Sequence, residues 1–204
     1  ITFAEKTGDI EQIGNWVFKT VCRQKRIWKE KGFPDIKISI NLSGKMLTQK
    51  GLVAGMQKML TEHNMNCCDV VIEITETAIM ADLEKSLKVL NQLKQLGVTI
   101  ALDDFGTGYS SLTYLQKLPI DILKVDKNFI KNISQEGKEL FIFKSIVQLA
   151  HNLGLQVVAE GVETEEQLIV LRNNGCDIGQ GYYFSKPLPP QELELLFKTS
   201  SAIS

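Results

Sequence analysis

Val98-Thr-Ile-Ala-Leu-Asp-Asp-Phe-Gly-Thr-Gly-Tyr-Ser-Ser111 is the stretch on which the fold turns. Its opening run, Val98 to Leu102, is apolar and β-branched, as a strand buried on both faces requires. The run stops at two adjacent carboxylates, Asp103 and Asp104. Gly106 and Gly108 then permit a tight loop, and Ser110 and Ser111 offer hydroxyls that start a helix. Two acids at the carboxyl end of a buried strand repel each other and lose hydration, so they need a cation or a proton. A divalent metal is preferred to an acidic loop in water, because neighbouring strands also end in oxygen ligands.

Outward from this strand the same unit recurs. Towards the N-terminus, Val70-Val-Ile-Glu-Ile-Thr-Glu76 reads as a strand carrying Glu73 and Glu76, and Leu83, Leu87, Leu90 and Leu93 step along the helix between the two strands. Ile36 to Ile40 alternates into a strand that stops at Asn41. It is preceded by a helix from Asp9 to about Lys31 and followed by one from Ser43 to about His63. Towards the C-terminus, Asp121 to Val125 is a short strand bearing Lys124, and Gln156 to Ala159 is a strand ending on Glu160. Cys176 to Gln180 is the last strand, and Glu192 to Lys198 the closing helix. No internal repeat is evident.

Six strands alternating with helices predict a parallel α/β sheet. An open doubly wound sheet and a (β/α)8 barrel both fit the alternation, and the polar strand endings choose between them. Asn41, Glu73 with Glu76, Asp103 with Asp104, Lys124, Glu160 and Gln180 share one site only if the sheet closes into a barrel. Six strands fall two short of closure. The expectation is a TIM-like (β/α)8 barrel with its first elements missing and its wall open, or filled by a neighbouring chain, beside Asn41.

Composition narrows the function classes. The 204 residues are 44% hydrophobic and 23% charged with a formal net charge of -1, ordinary for a single domain and unsuited to wrapping long nucleic acid. No apolar run approaches the roughly 20 residues of a membrane span. Cys22, Cys67, Cys68 and Cys176 show no C-x-x-C spacing, and only His63 and His151 are present, so a Cys/His zinc site is disfavoured. Reduced thiols in a cytoplasmic domain, free or tethered to a membrane elsewhere, fit best. An oxygen-only ligand set suits Mg2+ or Mn2+. His151, near a helix end, reads as structural, and at least one of Tyr182, Tyr183 and Phe184 reads as core.

Asn41-Leu-Ser43, Glu73-Ile-Thr-Glu76, Asp103 to Ser111, Leu123-Lys-Val-Asp126, Ala159-Glu-Gly-Val-Glu163 and Gln180-Gly-Tyr182 resemble, in order and spacing, the motifs of EAL domains. The resemblance covers nearly the whole chain, as one domain over residues 1–204. It implies a bacterial phosphodiesterase that linearises cyclic di-GMP to pGpG. By the resemblance, Asn41, Glu73, Asp103, Asp104 and Glu160 are metal ligands, with Asp103 bridging two Mg2+ or Mn2+ ions. Lys124 holds the attacking water, and Lys124 and Glu160 are the catalytic pair. Gln180 lines the site, Glu76 braces the loop after Asp104, and Glu163 belongs to a loop behind the ligands. The resemblance further implies a homodimer contact through the 105–111 loop and the helix after it, and flanking sensory or diguanylate cyclase domains. The Glu-Ala-Leu signature and the substrate-binding Arg after it are expected before Ile1, which agrees with the strand count. Two rivals remain: a degenerate EAL domain that binds cyclic di-GMP without cleaving it, and a Schiff-base aldolase built on Lys124.

Overall fold

A computed structural model of the chain describes residues 2–106 and 112–200. The loop residues Thr107 to Ser111, Gly108, Ser110 and Ser111 among them, lie outside the described residues, and with them most of the expected dimer loop.

Six strands form one parallel sheet in sequential order: β1 (Ile38–Asn41), β2 (Val70–Thr75), β3 (Thr99–Phe105), β4 (Ile122–Val125), β5 (Gln156–Glu160) and β6 (Ile178–Gln180). Helices α1 (Thr2–Thr7) and α2 (Ile10–Glu30) precede β1; the crossovers hold α3 (Gly44–Leu47), α4 (Leu52–Glu62), α5 (Glu76–Met80), α6 (Leu83–Gln95), α7 (Leu112–Leu115), α8 (Lys127–Ile130), α9 (Lys138–Asn152) and α10 (Glu165–Asn173); and α11 (Pro190–Ser200) follows β6. Lys124 on β4 reaches Glu73 on β2 as well as Glu160 on β5, so the sheet curls strongly. It is an incomplete TIM-like barrel, six of whose eight strands are present.

The alternation of each strand splits the core into two. Ile72, Ile74, Ile100, Leu102, Leu123, Val125, Val157 and Ala159 face the helices and join the main cluster. Val71, Ala101, Ile122 and Val158 form a separate small cluster on the concave face. Each lies two residues before Glu73, Asp103, Lys124 or Glu160, and residues two apart point the same way. The concave apolar layer is therefore the floor of the polar ring.

Several local outcomes differ from expectation. The helix after Asn41 is two helices, because Gly51 adopts φ +82° and starts α4 afresh. Helices α1, α5 and α8 are additional. Phe33, Trp28 and Phe197 make an aromatic contact between the end of α2 and α11, where Glu194 also accepts from Trp28 Nε1 (3.2 Å) and Lys31 Nζ (2.8 Å). Tyr182, Tyr183 and Phe184 are 60, 40 and 49% exposed, so none is a core residue. The four cysteines are free.

Both β1 and β6 are sheet edges. Beside β1 lies a groove of about 740 Å3 lined by Ile10, Ile13, Val17, Ile40, Asn41 and Thr75. This is the opening in the wall expected next to Asn41.

Candidate functional site

The carboxyl ends of β2 to β5 converge on one buried ammonium. Lys124, 3% exposed, lies 2.6 Å from Glu160 Oε1, 2.8 Å from Glu73 Oε2 and 3.3 Å from Asp103 Oδ1. Its three N–H donors can thus each meet a carboxylate. Burial works to depress the lysine, but the hydrogen bonds it donates to Glu160 and Glu73 outweigh it and hold its pKa well above the usual range.

Successive residues on a regular strand point to opposite faces, so Asp103 and Asp104 should diverge. They do not, because β3 carries a bulge. The register against β4 shifts between Leu102 and Phe105, and Asp104 adopts φ +57°. Its own N–H donates to Asp103 Oδ1 at 3.0 Å. Oxygens of Asp103, Asp104 and Glu160 consequently lie within 4.8 Å of one another. Burial, then the charges of Asp103 and Asp126, push the Asp104 pKa up. Burial also raises Glu160, with Asp103 and Glu73 adding to it against the opposing pull of Lys124.

The remaining predicted residues sit around this centre. Asn41 pairs with Glu73 in the β1–β2 register and Gln180 with Glu160 in the β5–β6 register, so both occupy the concave face, at its two open ends. Glu76 opens α5 beside an apolar pocket lined by Ile79, Met80, Leu102, Phe105 and Tyr114. Glu163 is exposed, and its N–H donates to Gln167 Oε1 at 2.7 Å.

Asp126 was missed as a site residue. It is 7% exposed, caps α8 by accepting from Asn128 N–H at 2.9 Å, and its charge bears on Asp104. The signal was present in Lys124-Val-Asp126, whose spacing of two puts both side chains on one face.

The donors are all oxygen, and five acids (Glu73, Asp103, Asp104, Asp126 and Glu160) stand against Lys124 and Lys127. Burial leads the upward shifts of Asp104 and Glu160 and the neighbouring carboxylates add to them, and a hard divalent cation would relieve the excess of negative charge.

This is a parallel α/β barrel segment with an acidic, cation-accepting ring at the carboxyl ends of its strands. The chain belongs to the EAL domain family, whose model matches residues 1–187. It is 42% identical over 95% of its length to the bifunctional diguanylate cyclase/cyclic di-GMP phosphodiesterase MucR of Pseudomonas aeruginosa, of which it spans 28%. It is 41% identical, again over 95% of its length, to the cyclic di-GMP phosphodiesterase NbdA of the same organism, of which it spans 25%. The solved PaMucR phosphodiesterase in its c-di-GMP complex superposes with a TM-score of 0.88 at 43% identity, covering 94% of this chain and 78% of that one. The chain therefore spans about a quarter of the length of these two curated relatives.

Proposed function

We propose that this domain hydrolyses cyclic di-GMP to linear pGpG in a reaction dependent on Mg2+ or Mn2+. The observation that carries the reading is the ring itself: Glu73, Asp103 and Glu160, from three strands, all within 3.3 Å of a single buried ammonium, with Asp104 turned into the same cluster. The names and bound ligand of the relatives point to the same substrate.

Asp103, Asp104 and Glu160, with Glu73 and Asn41 on the adjoining strands, are the residues that would hold the metal. Two bound ions would supply Lewis acidity to a water and to the scissile phosphate. Lys124 stays protonated, so it acts neither as a general base nor as an amine nucleophile. Its ammonium orients the water and offsets charge developing on the phosphate oxygens. Glu160, bonded to Lys124, fixes the direction of that ammonium. Gln180, on the edge strand beside Glu160, offers an amide to the substrate. The floor of Val71, Ala101, Ile122 and Val158 keeps water out from below.

A homodimer contact near the 105–111 loop belongs to the same reading. It is supported by Tyr114 and Met80, 36 and 39% exposed beside Glu76. So do flanking domains and an intracellular setting for the substrate. Among the described residues no helix is long and apolar enough to cross a membrane.

The test is turnover of cyclic di-GMP followed by chromatography, using the full-length protein that carries this domain. Cleavage to pGpG with Mg2+ or Mn2+, abolished by excess EDTA and not supported by Ca2+, is expected. Full-rate cleavage in EDTA would rule out the mechanism.

A further inference from the structure

We infer that Gln167, outside the ring, is a positioning residue: its amide ties the loop that follows Glu160 to the segment that follows Lys124 and Asp126. The inference rests on the hydrolase reading above and adds to it a residue that touches neither substrate nor metal.

Gln167 is 8% exposed at the third position of α10. Its Oε1 accepts from the N–H groups of Glu163 (2.7 Å) and Thr164 (3.1 Å). Its Nε2 donates to the carbonyls of Ile130 (3.2 Å) and Lys131 (3.3 Å) at the end of α8. A side-chain amide offers two donors and an acceptor oxygen with two lone pairs, and all are used. The orientation is fixed by the partners, since two N–H groups face the oxygen and two carbonyls face the nitrogen. Half of this is a capping box with Thr164, which any helix start can have. The other half is long-range: it adds a second donor to the Ile130 carbonyl, which also accepts from Ile133 N–H at 3.0 Å, and supplies one to the Lys131 carbonyl beyond the end of this four-residue helix.

The segments joined are the ones that aim the ring. The loop 161–164 runs from Glu160 at the end of β5 to the first turn of α10, where Gln167 sits. Asp126 caps the front of α8, and Gln167 holds its back. Helix α8 touches both loops closely. A Cβ on Gly161, at φ +73°, would lie 2.5 Å from Lys127 Cβ, and one on Gly106, at φ +95°, would lie 2.6 Å from the Phe129 ring. Gly106 follows Asp104 by two residues. A shift of α8 would therefore be felt at Asp104, Asp126 and Glu160 together.

Two variants separate positioning from capping. Gln167→Glu keeps an acceptor for Glu163 and Thr164 but, ionised at pH 8, sets an anionic oxygen against the Ile130 and Lys131 carbonyls. Gln167→Met fills a similar volume with no amide. By hydrogen exchange, residues 127–131 should lose protection about ten-fold in both, while α10 stays protected in Gln167→Glu. In the full-length protein kcat for cyclic di-GMP and calorimetric Mn2+ affinity should each fall about ten-fold, as loss of an outer support of metal ligands does. KM should stay within about two-fold, with both variants folded by circular dichroism at the assay temperature. Unchanged exchange over 127–131 in Gln167→Glu, or a kcat loss that merely follows the unfolded fraction, overturns the inference. A wild-type protein that neither binds Mn2+ nor cleaves cyclic di-GMP overturns the hydrolase reading instead, and exchange over 127–131 still decides whether Gln167 ties the two segments.

Discussion

Lys124 Nζ and Glu160 Oε1 lie 2.6 Å apart on adjacent strands, and the same ammonium is 2.8 Å from Glu73 two strands away in the other direction. One cation thus draws together carboxylates from both sides of the curled sheet. The carboxylates repel one another and are stable as a group only with this cation or a metal among them.

Lys124→Met should accordingly do two things. It should abolish turnover, and it should lower stability when no divalent ion is present, because a buried ion pair stripped of one partner costs about 3–5 kcal/mol. Thermal melts in EDTA and in excess Mg2+ read the second effect. A melting temperature that drops in EDTA and recovers with Mg2+ is expected. An unchanged melt in EDTA would show that the ring needs no internal cation.

At the opposite rim, Asp177 Oδ2 accepts from Val157 N–H at 2.7 Å and meets His151 Nε2 at 2.9 Å. Burial opposes ionisation of Asp177, but the histidine and the backbone N–H prevail and hold its pKa below the usual range. A carboxylate depressed in the folded state stabilises fully above its unfolded value, and the contribution fades as pH falls through the folded value. Asp177→Asn should cost about 1–2 kcal/mol at pH 7. The gap to wild type should close below about pH 4. Denaturant melts across pH 3–7 decide it, and a gap constant over that range would count against the ionic part.

Gly106→Ala should be costly for two reasons that can be separated. The φ of +95° disfavours any Cβ by about 1–2 kcal/mol, and the Phe129 ring lies in its way. Phe129→Leu should restore part of the loss and leave the backbone part. Additive losses in the double variant would show that the ring and the glycine do not meet.

Residues that end strands were readable because burial and alternation write them into local sequence. Asn41, Glu73, Asp103, Lys124, Glu160 and Gln180 each lie at or near the carboxyl end of a strand, and each falls on the concave face or at its edge. What escaped is non-local. Helix α8 is four residues long, too short for any period, and Gln167 meets it across 36 and 37 residues of chain. The sequence showed no repeat, yet the fold has one. Asp69, Asp121 and Asp177 each directly precede β2, β4 and β6, and each meets a basic group on the helix before the preceding strand: Lys25, Lys94 and His151. Asp121 and Asp177 also each accept a strand N–H, from Ile100 and Val157. One aspartate per unit, amid otherwise different residues, leaves no visible period.

Among the described residues strand β1 has a partner on one side only, and Ser39 and Asn41 are exposed beside the groove of about 740 Å3. An unpaired strand edge presents free N–H and carbonyl groups to any other chain, and the apolar lining from Ile13 and Val17 adds a reason to associate. The isolated polypeptide 1–204 should therefore self-associate as concentration rises. Ser39→Lys places a charge at the middle of that edge, a device that blocks edge-to-edge pairing. It lies two residues below Asn41 on the same concave face, level with Val71 in the floor, so the comparison reads association and not turnover. Light scattering from about 10 to 500 μM, a range over which exposed edges commonly associate, compares the two. Association that Ser39→Lys suppresses is expected. A wild-type polypeptide that stays monomeric throughout would mean that the helices on either side of β1 already shield its edge.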